Sequence, residues 1–371
     1  MVSKTISAIA LLIGTTIGAG ILGLPYVFAK AGILPGLLHL FIIAAVMLLI
    51  NLYLGEISIR TKGSHQLTGY AEHYLGKIGR KIMFFSMVFG IYSALLAYLI
   101  GESNSLSFIF FGTSQYAFFS GIIFWLIMSF LAYFGLKGLK KYEPISVALV
   151  ILFSLIIIFM FMGKVKVENL AYFNPQYFFL PFGVILFAML GYSSLPELEI
   201  ILKGKEKMMK KAIILGTLIP AIIYAFFAIS IAGAFGQATP EIATLALGKI
   251  FILLGILTMF TAYAVLSIVL EDMYILDYKI KREKAWIITS LIPLFLFIIA
   301  EITKTNSFVN VLGISGAISG GTAGILILLM NQKAKKKGDR KPEYSIPINK
   351  LVILLLSIIF IAGIFFEIFM Q

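Results

Sequence analysis

Two segments of this sequence set glycine, hydroxyl and proline residues together inside otherwise apolar runs. The first reads Ile13-Gly14-Thr15-Thr16-Ile17-Gly18-Ala19-Gly20-Ile21-Leu22-Gly23-Leu24-Pro25. The second reads Phe187-Ala188-Met189-Leu190-Gly191-Tyr192-Ser193-Ser194-Leu195-Pro196-Glu197-Leu198-Glu199. In each, proline follows a central glycine by five residues, Gly20 to Pro25 and Gly191 to Pro196. Glycine costs a helix about 1 kcal/mol against alanine and proline about 3, yet proline is tolerated in a first turn. The spacing predicts helices that stop near the glycines and restart just before the prolines. Such a break frees main-chain N–H and C=O groups, which are costly to bury unpaired. The restarted helix offers N–H donors and a positive dipole end to a carboxylate. The half-helix before it offers carbonyls to an ammonium group or a metal cation. Gly14 and Gly18 also form a GxxxG pair, whose other reading is close helix packing.

Carboxylates in apolar runs need a reason. Glu102 follows Tyr92 and Tyr98 in one such run and reads as a proton carrier, an outer-vestibule residue or an interfacial carboxylate on a tilted helix. Glu197 and Glu199 follow the second break; they can bind a cation, carry a proton or cap the restarted helix. Glu271, Asp272 and Asp277 stand beside Lys279, Lys281 and Arg282 and read as salt bridges of an inner gate or interface, with Asp277 and Lys281 one helical turn apart. Gly316, Gly320 and Gly324 form a small-residue stripe that reads as close helix packing, with a gating role as the alternative. The 33 phenylalanines and 17 tyrosines read as lipid-facing bulk and interface anchors. Enzyme chemistry finds little support. There is no cysteine, so thiolate metal sites and thiol nucleophiles are excluded, and His39, His65 and His73 lack metal-ligand spacing. No nucleophile motif or phosphate-cradling loop appears, and no cofactor is implied.

The elements that must position these groups are membrane-spanning helices. The chain is 60% hydrophobic and 13% charged, against about 25% charged in a soluble domain. Apolar runs near the roughly 20 residues of a transmembrane helix fall at 6–30, 34–59, 82–111, 117–136, 144–163, 176–202, 212–235, 244–276, 284–302, 307–330 and 347–370. The first is too long, and too interrupted by Gly and Thr, to be a secretory signal. The net charge of +13 raises a nucleic-acid partner, but its distribution argues against one. All basic residues except Lys30, Lys164, Lys166, Lys249 and Lys304 fall in alternate loops, on one side. That positive-inside bias predicts a cytoplasmic N-terminus and, after eleven spans, an outside C-terminus in a plasma membrane. Residues 60–81 read as a cytoplasmic loop with one short surface helix. Residues 331–347, with Lys335, Lys336, Lys337 and Asp339, read as a solvated tether on the inner leaflet.

At the breaks the sequence resembles a known group. Gly14 to Pro25, followed by Phe28-Ala29-Lys30-Ala31-Gly32, resembles the first helix of amino-acid permeases of the amino acid–polyamine–organocation superfamily, closest in look to the aromatic and hydroxy amino-acid permeases and the amino-acid/auxin permease group. Phe187 to Tyr192 is similar to that superfamily's sixth helix, and Glu56 fits its pattern. The resemblance implies an all-α, polytopic, LeuT-like fold: two inverted five-helix repeats with broken helices one and six, plus an eleventh helix. The repeats would be 1–164 and 176–330 of a single domain, with 347–371 added. It further implies a substrate carboxylate on the main-chain amides of helix one, and a bundle of helices one, two, six and seven rocking against three, four, eight and nine. Proton-coupled relatives carry a lysine in helix five; here none lies between Lys141 and Lys164. Thr258, Thr261 or Ser267 of helix eight are the hydroxyls available to sodium.

The expectation is a secondary active transporter of amino acids working by alternating access, coupled to H+ or Na+ and surrounded by membrane lipid. Its substrate site would be built on Gly18, Ala19, Gly20, Met189, Gly191 and Ser193, with Thr15, Thr16, Ser194, Tyr92 and Tyr98 around it. Glu102, Glu197 and Glu199 join the three helix-eight hydroxyls as ion-coupling candidates. The alternatives are a permease-fold, ligand-sensing receptor subunit and a passive channel. The oligomeric state leaves no mark in the sequence.

Overall fold

The computed structural model describes residues 4–63, 65–134 and 143–369, without the side chains of residues 143, 144, 146, 276 and 277. Lys137, Lys140, Lys141 and the Asp277 side chain therefore lie outside the described residues, and so does the Asp277–Lys281 pair. Every described element is helical.

The first crossing is broken into α1 (Lys4–Thr16) and α2 (Gly20–Ala31), bent by 54°. Unbroken crossings follow in α3 (Ile33–Arg60), α4 (Leu67–Phe111), α5 (Ala117–Phe134) and α6 (Glu143–Met162). A connection carrying the short α7 (Val167–Ala171) leads to a second broken crossing, α8 (Pro181–Ala188) and α9 (Leu195–Ile201). Then come α10 (Met209–Phe235), α11 (Lys249–Tyr278), α12 (Arg282–Thr303), a tenth crossing made of α13 (Phe308–Ser315) and α14 (Gly321–Lys337), and α15 (Lys350–Phe369). Nine spans among the described residues pass for transmembrane on length and apolarity, and the bent pair makes ten. The apolar α6 completes the eleven expected. Five crossings precede the α7 connection and six follow it, the last being α15, and the first of each set is the broken one.

Two groups of helices pack internally. In one, α10 lies against α1, α2 and α3, and α8 against α2 and α3; in the other, α4 lies against α5, α11 and α12. The glycine stripe serves close packing, as read from its spacing. Gly316 lies on the main chain of Gly183 and Phe187, Gly320 on Leu186 and Leu190, and Gly324 under the Phe360 ring. A π-helical turn over Gly316–Gly320 joins α13 to α14. On α15, Glu367 presses its carboxyl group into space left by two glycines: a Cβ at Gly183 would lie 2.6 Å, and one at Gly313 2.9 Å, from its Cδ.

Two polar segments differ from expectation. The surface helix of the 60–81 stretch is the first part of α4, continuous with the crossing except for a turn at Gly76, where φ is 79°. The 331–347 stretch is no solvated tether. Asn331 is buried inside α14 and donates to the Tyr53 carbonyl at 3.1 Å, and residues 339–347 strap the end of α3. The reason is Glu56, a fully buried carboxylate. It accepts from Arg60 Nε (2.9 Å), Lys335 Nζ (2.9 Å), Ser345 Oγ (2.8 Å) and the Ile346 amide (2.9 Å). Tyr344 Oη and Tyr53 Oη add bonds to the Leu52 and Pro347 carbonyls at 2.8 and 3.0 Å. A buried carboxylate must collect donors, and this one draws two of its four from the strap.

Candidate functional site

The breaks meet each other. α1 ends at Thr16, and α2 begins at Gly20 with Pro25 well inside it, five residues later than a restart just before the proline would put it. α9 does restart at its proline, with Pro196 in the first turn after a 3-10 turn over Tyr192–Ser194. A Cβ at Gly20 would fall 2.8 Å from the Ala188 Cα, and one at Gly191 2.5 Å from Thr16 Oγ1. Side chains at either position would force the broken helices apart. Among the described residues, the N–H group of Ala19 has no main-chain acceptor. It is a free donor at the α2 N-terminus. The Thr16 and Ala188 carbonyls both meet the buried hydroxyl of Tyr224 on α10, at 2.7 and 3.0 Å.

A cavity of about 650 Å³ opens beside the breaks. Thr15, Thr16, Gly18, Gly20, Ser193, Ser194, Tyr98, Thr258 and Thr261 line it, as does Glu197. Apolar walls come from Phe187, Phe260, Met87, Ile91, Leu257 and Val265. The Tyr98 hydroxyl lies 3.9 Å from where a Gly18 Cβ would be, beside the α2 N-terminus. The cavity runs on to Gln66, Thr68, Asp272 and Met273, next to the lysine-rich ends of the helices. No Lys, Arg or His lines it among the described residues. At the opposite face the described segments are tied to one another. The Gln237 side chain donates to the Ala29 carbonyl, Asn174 N–H to that of Ala31 (3.1 Å) and Lys166 N–H to that of Gly233 (3.0 Å). Glu241 accepts from Ser307 Oγ (3.0 Å) and from the Val309 amide (3.2 Å), capping α13.

The other residues singled out in the sequence lie off this cavity. Ala19, Met189, Gly191 and Ser267 are buried beside or behind it. Tyr92 joins α4 to the second group's partners, its hydroxyl 3.0 Å from Tyr274 Oη and 3.2 Å from the Ile288 carbonyl. Glu199 accepts from Tyr70 Oη at 3.0 Å and so ties α9 to the start of α4. Glu271 pairs with Arg282 at 3.7 Å, as its place beside the basic loop predicts. Glu102 is not interfacial. It is 0% exposed on the face of α4 turned to α11, and neither carboxylate oxygen finds a partner at bonding geometry, the Phe260 main chain being its polar neighbour. The aromatic side chains divide: Phe41, Phe159 and Phe295 face outward as expected, whereas Tyr53, Tyr224, Phe28 and Phe308 are core and Phe187 and Phe260 wall the cavity. Sequence reasoning missed Tyr224 and Phe260. A lone tyrosine at the middle of an apolar span, where its hydroxyl must find an acceptor, is the signal for the first.

The broken helices, the order of crossings and the mid-depth cavity define a membrane transporter fold of the LeuT-like kind. The crystal structure of MhsT in complex with L-phenylalanine matches with a TM-score of 0.69 over 98% of both chains, at 17% identity. The tryptophan/tyrosine permease family profile matches residues 1–271, and the chain belongs to that family. It is 28% identical over 259 residues to Amino acid transporter AVT3B of Arabidopsis thaliana, covering 62% of this chain and 60% of that one. It is 23% identical over 352 residues to Glutamine transporter 2 of Aliivibrio fischeri, covering 90% of each. To Tyrosine-specific transport system 1 of Haemophilus influenzae it is 24% identical over 240 residues, covering 63% of this chain and 59% of the relative. These relatives are transporters, not enzymes.

Proposed function

We propose that this protein is a secondary active transporter that moves amino acids across the plasma membrane by alternating access, coupled to H+ or Na+. The observation that carries the reading is the cavity itself: it touches both helix breaks and, among the described residues, runs on toward the lysine-rich face. With that face cytoplasmic, by the positive-inside rule, the N-terminus is inside, the C-terminus outside, and the conformation is inward-open. The two packing groups, α1–α2–α3–α8–α9–α10 and α4–α5–α11–α12, are then the bodies that rock, and 1–164 and 176–330 are the repeats that supply them.

The substrate's carboxylate binds the amides at the α2 N-terminus, Ala19 and Gly20, and the Tyr98 hydroxyl. Its side chain meets Phe187, Phe260 and Ile91, which favours an apolar or aromatic amino acid. The relatives' names, tyrosine-specific and glutamine transporters among them, support a neutral amino acid. For the ion, Glu102 is the proton site and the Thr258–Thr261 hydroxyls are the sodium site. Uptake of a labelled amino-acid mixture into proteoliposomes, under a proton gradient, a sodium gradient and neither, tests the proposal. Saturable, gradient-driven accumulation is the expected result. Binding without uptake in sealed vesicles would assign the ligand-sensing role, and unsaturable equilibration a passive channel.

A further inference from the structure

The half-helices α1 and α8 both stop at mid-depth and aim their last carbonyls at one point. The C-terminal end of a helix carries a partial negative charge, and two such ends repel unless something positive lies between them. In discontinuous-helix transporters that place is suited to a monovalent cation. Here the point is taken by the Tyr224 hydroxyl, 2.7 Å from the Thr16 carbonyl oxygen and 3.0 Å from that of Ala188. Tyr224 is 0% exposed, so its hydroxyl has no water to turn to. Its single proton serves two acceptors, a three-centre arrangement that holds both helix ends to one donor. Its oxygen fills the space a metal ion would need.

We propose that Tyr224 is a positioning residue that does with a fixed O–H dipole what a bound cation would otherwise do: it joins the negative ends of the two broken helices, and this junction takes no metal ion. The inference rests on the proposed function only in that the junction frames the substrate cavity. It leaves ion coupling to other groups.

The test is thermal unfolding of the purified full chain and of Tyr224→Phe and Tyr224→Ala, in sodium, lithium and N-methylglucamine chloride at equal ionic strength. Tyr224→Phe should melt below the unsubstituted protein in every salt, because both carbonyls lose the hydroxyl that joins them, the Thr16 carbonyl keeping only the Gly18 N–H at 2.9 Å. Tyr224→Ala opens room for an ion, and sodium should raise its melting temperature by about 2–4 °C more than it raises that of the unsubstituted protein. A merely structural role would give no cation-specific gain. Equal sodium shifts in Tyr224→Ala and the unsubstituted chain, or equal melting of Tyr224→Phe, would overturn the proposal. If neither variant can be purified, 3-fluorotyrosine at position 224, a stronger donor of nearly the same size, should melt higher; an unchanged or lower melting temperature counts against it. No substrate enters these readouts, so a failure of amino-acid uptake would leave the result standing.

Discussion

Gly20 and Ala188 meet main chain to main chain: a Cβ added to the glycine would sit 2.8 Å from the alanine's Cα. The contact couples the first turn of α2 to the last residue of α8, so the two breaks share one polar hollow. Replacing Gly20 by leucine drives a side chain into that seam. Overpacking of this kind costs about 1–3 kcal/mol, and here it falls on the geometry of the site. Uptake should be abolished while the protein still inserts and purifies as a folded species; normal uptake by Gly20→Leu would count against the site.

Tyr98 presents its hydroxyl to the cavity beside Gly18. If it bonds the substrate carboxylate, Tyr98→Phe removes one hydrogen bond to a charged group, worth about 1.5 kcal/mol or roughly tenfold in affinity. KM for uptake should rise by that factor with little change in melting temperature. A drop in maximal rate at constant KM would instead give Tyr98 a role in the conformational cycle.

Glu102 sits sealed between α4 and α11 with no Lys or Arg paired to it among the described residues. A proton is the ligand that fits a carboxylate so placed, and opening of the face opposite the lysine-rich one is the event that would let it load. Glu102→Gln keeps the shape and removes the titration. Accumulation driven by a pH gradient should be lost and uptake should cease to vary with external pH, while counterflow exchange persists. Unaltered proton-driven accumulation in this variant excludes Glu102 as the coupling site and moves attention to Thr258 and Thr261.

Glu56 gathers four donors, two of them from the strap at Ser345 and Ile346. Glu56→Ala should lower stability by about 2–3 kcal/mol, since several charge-assisted bonds disappear together. Proteolysis between residues 338 and 349 should speed up in the variant; an unchanged cleavage rate would mean that Tyr344 and Tyr53 hold the strap alone.

The breaks were legible because glycine and proline disturb helices locally, whatever surrounds them, and the alternation of Lys and Arg loops marked the crossings. The depth of Glu102 was not, because lipid and protein core are equally apolar, so the lipid-facing and core-facing sides of α4 show no contrast in the sequence. The strap was hidden by its composition: Lys335, Lys336 and Asp339 look solvated until Glu56 is brought across from a distant helix. Tyr224 escaped for the same reason. Its acceptors lie on helices one and six, and nothing near it in the chain announces them. Pro25 shows the limit of local rules, since α2 begins at Gly20 and tolerates the proline a turn and a half inside.

The last crossing, α15, fits where large groups meet missing side chains: Glu367 over Gly183 and Gly313, Phe360 over Gly324, and the Phe182 ring under Gly363. Deprived of α15, α8, the first half of the second broken helix, would present bare peptide groups to acyl chains, which can neither fill such hollows nor hydrogen-bond. The eleventh helix is therefore a gasket between hydrocarbon and the part of the chain that has to stay irregular.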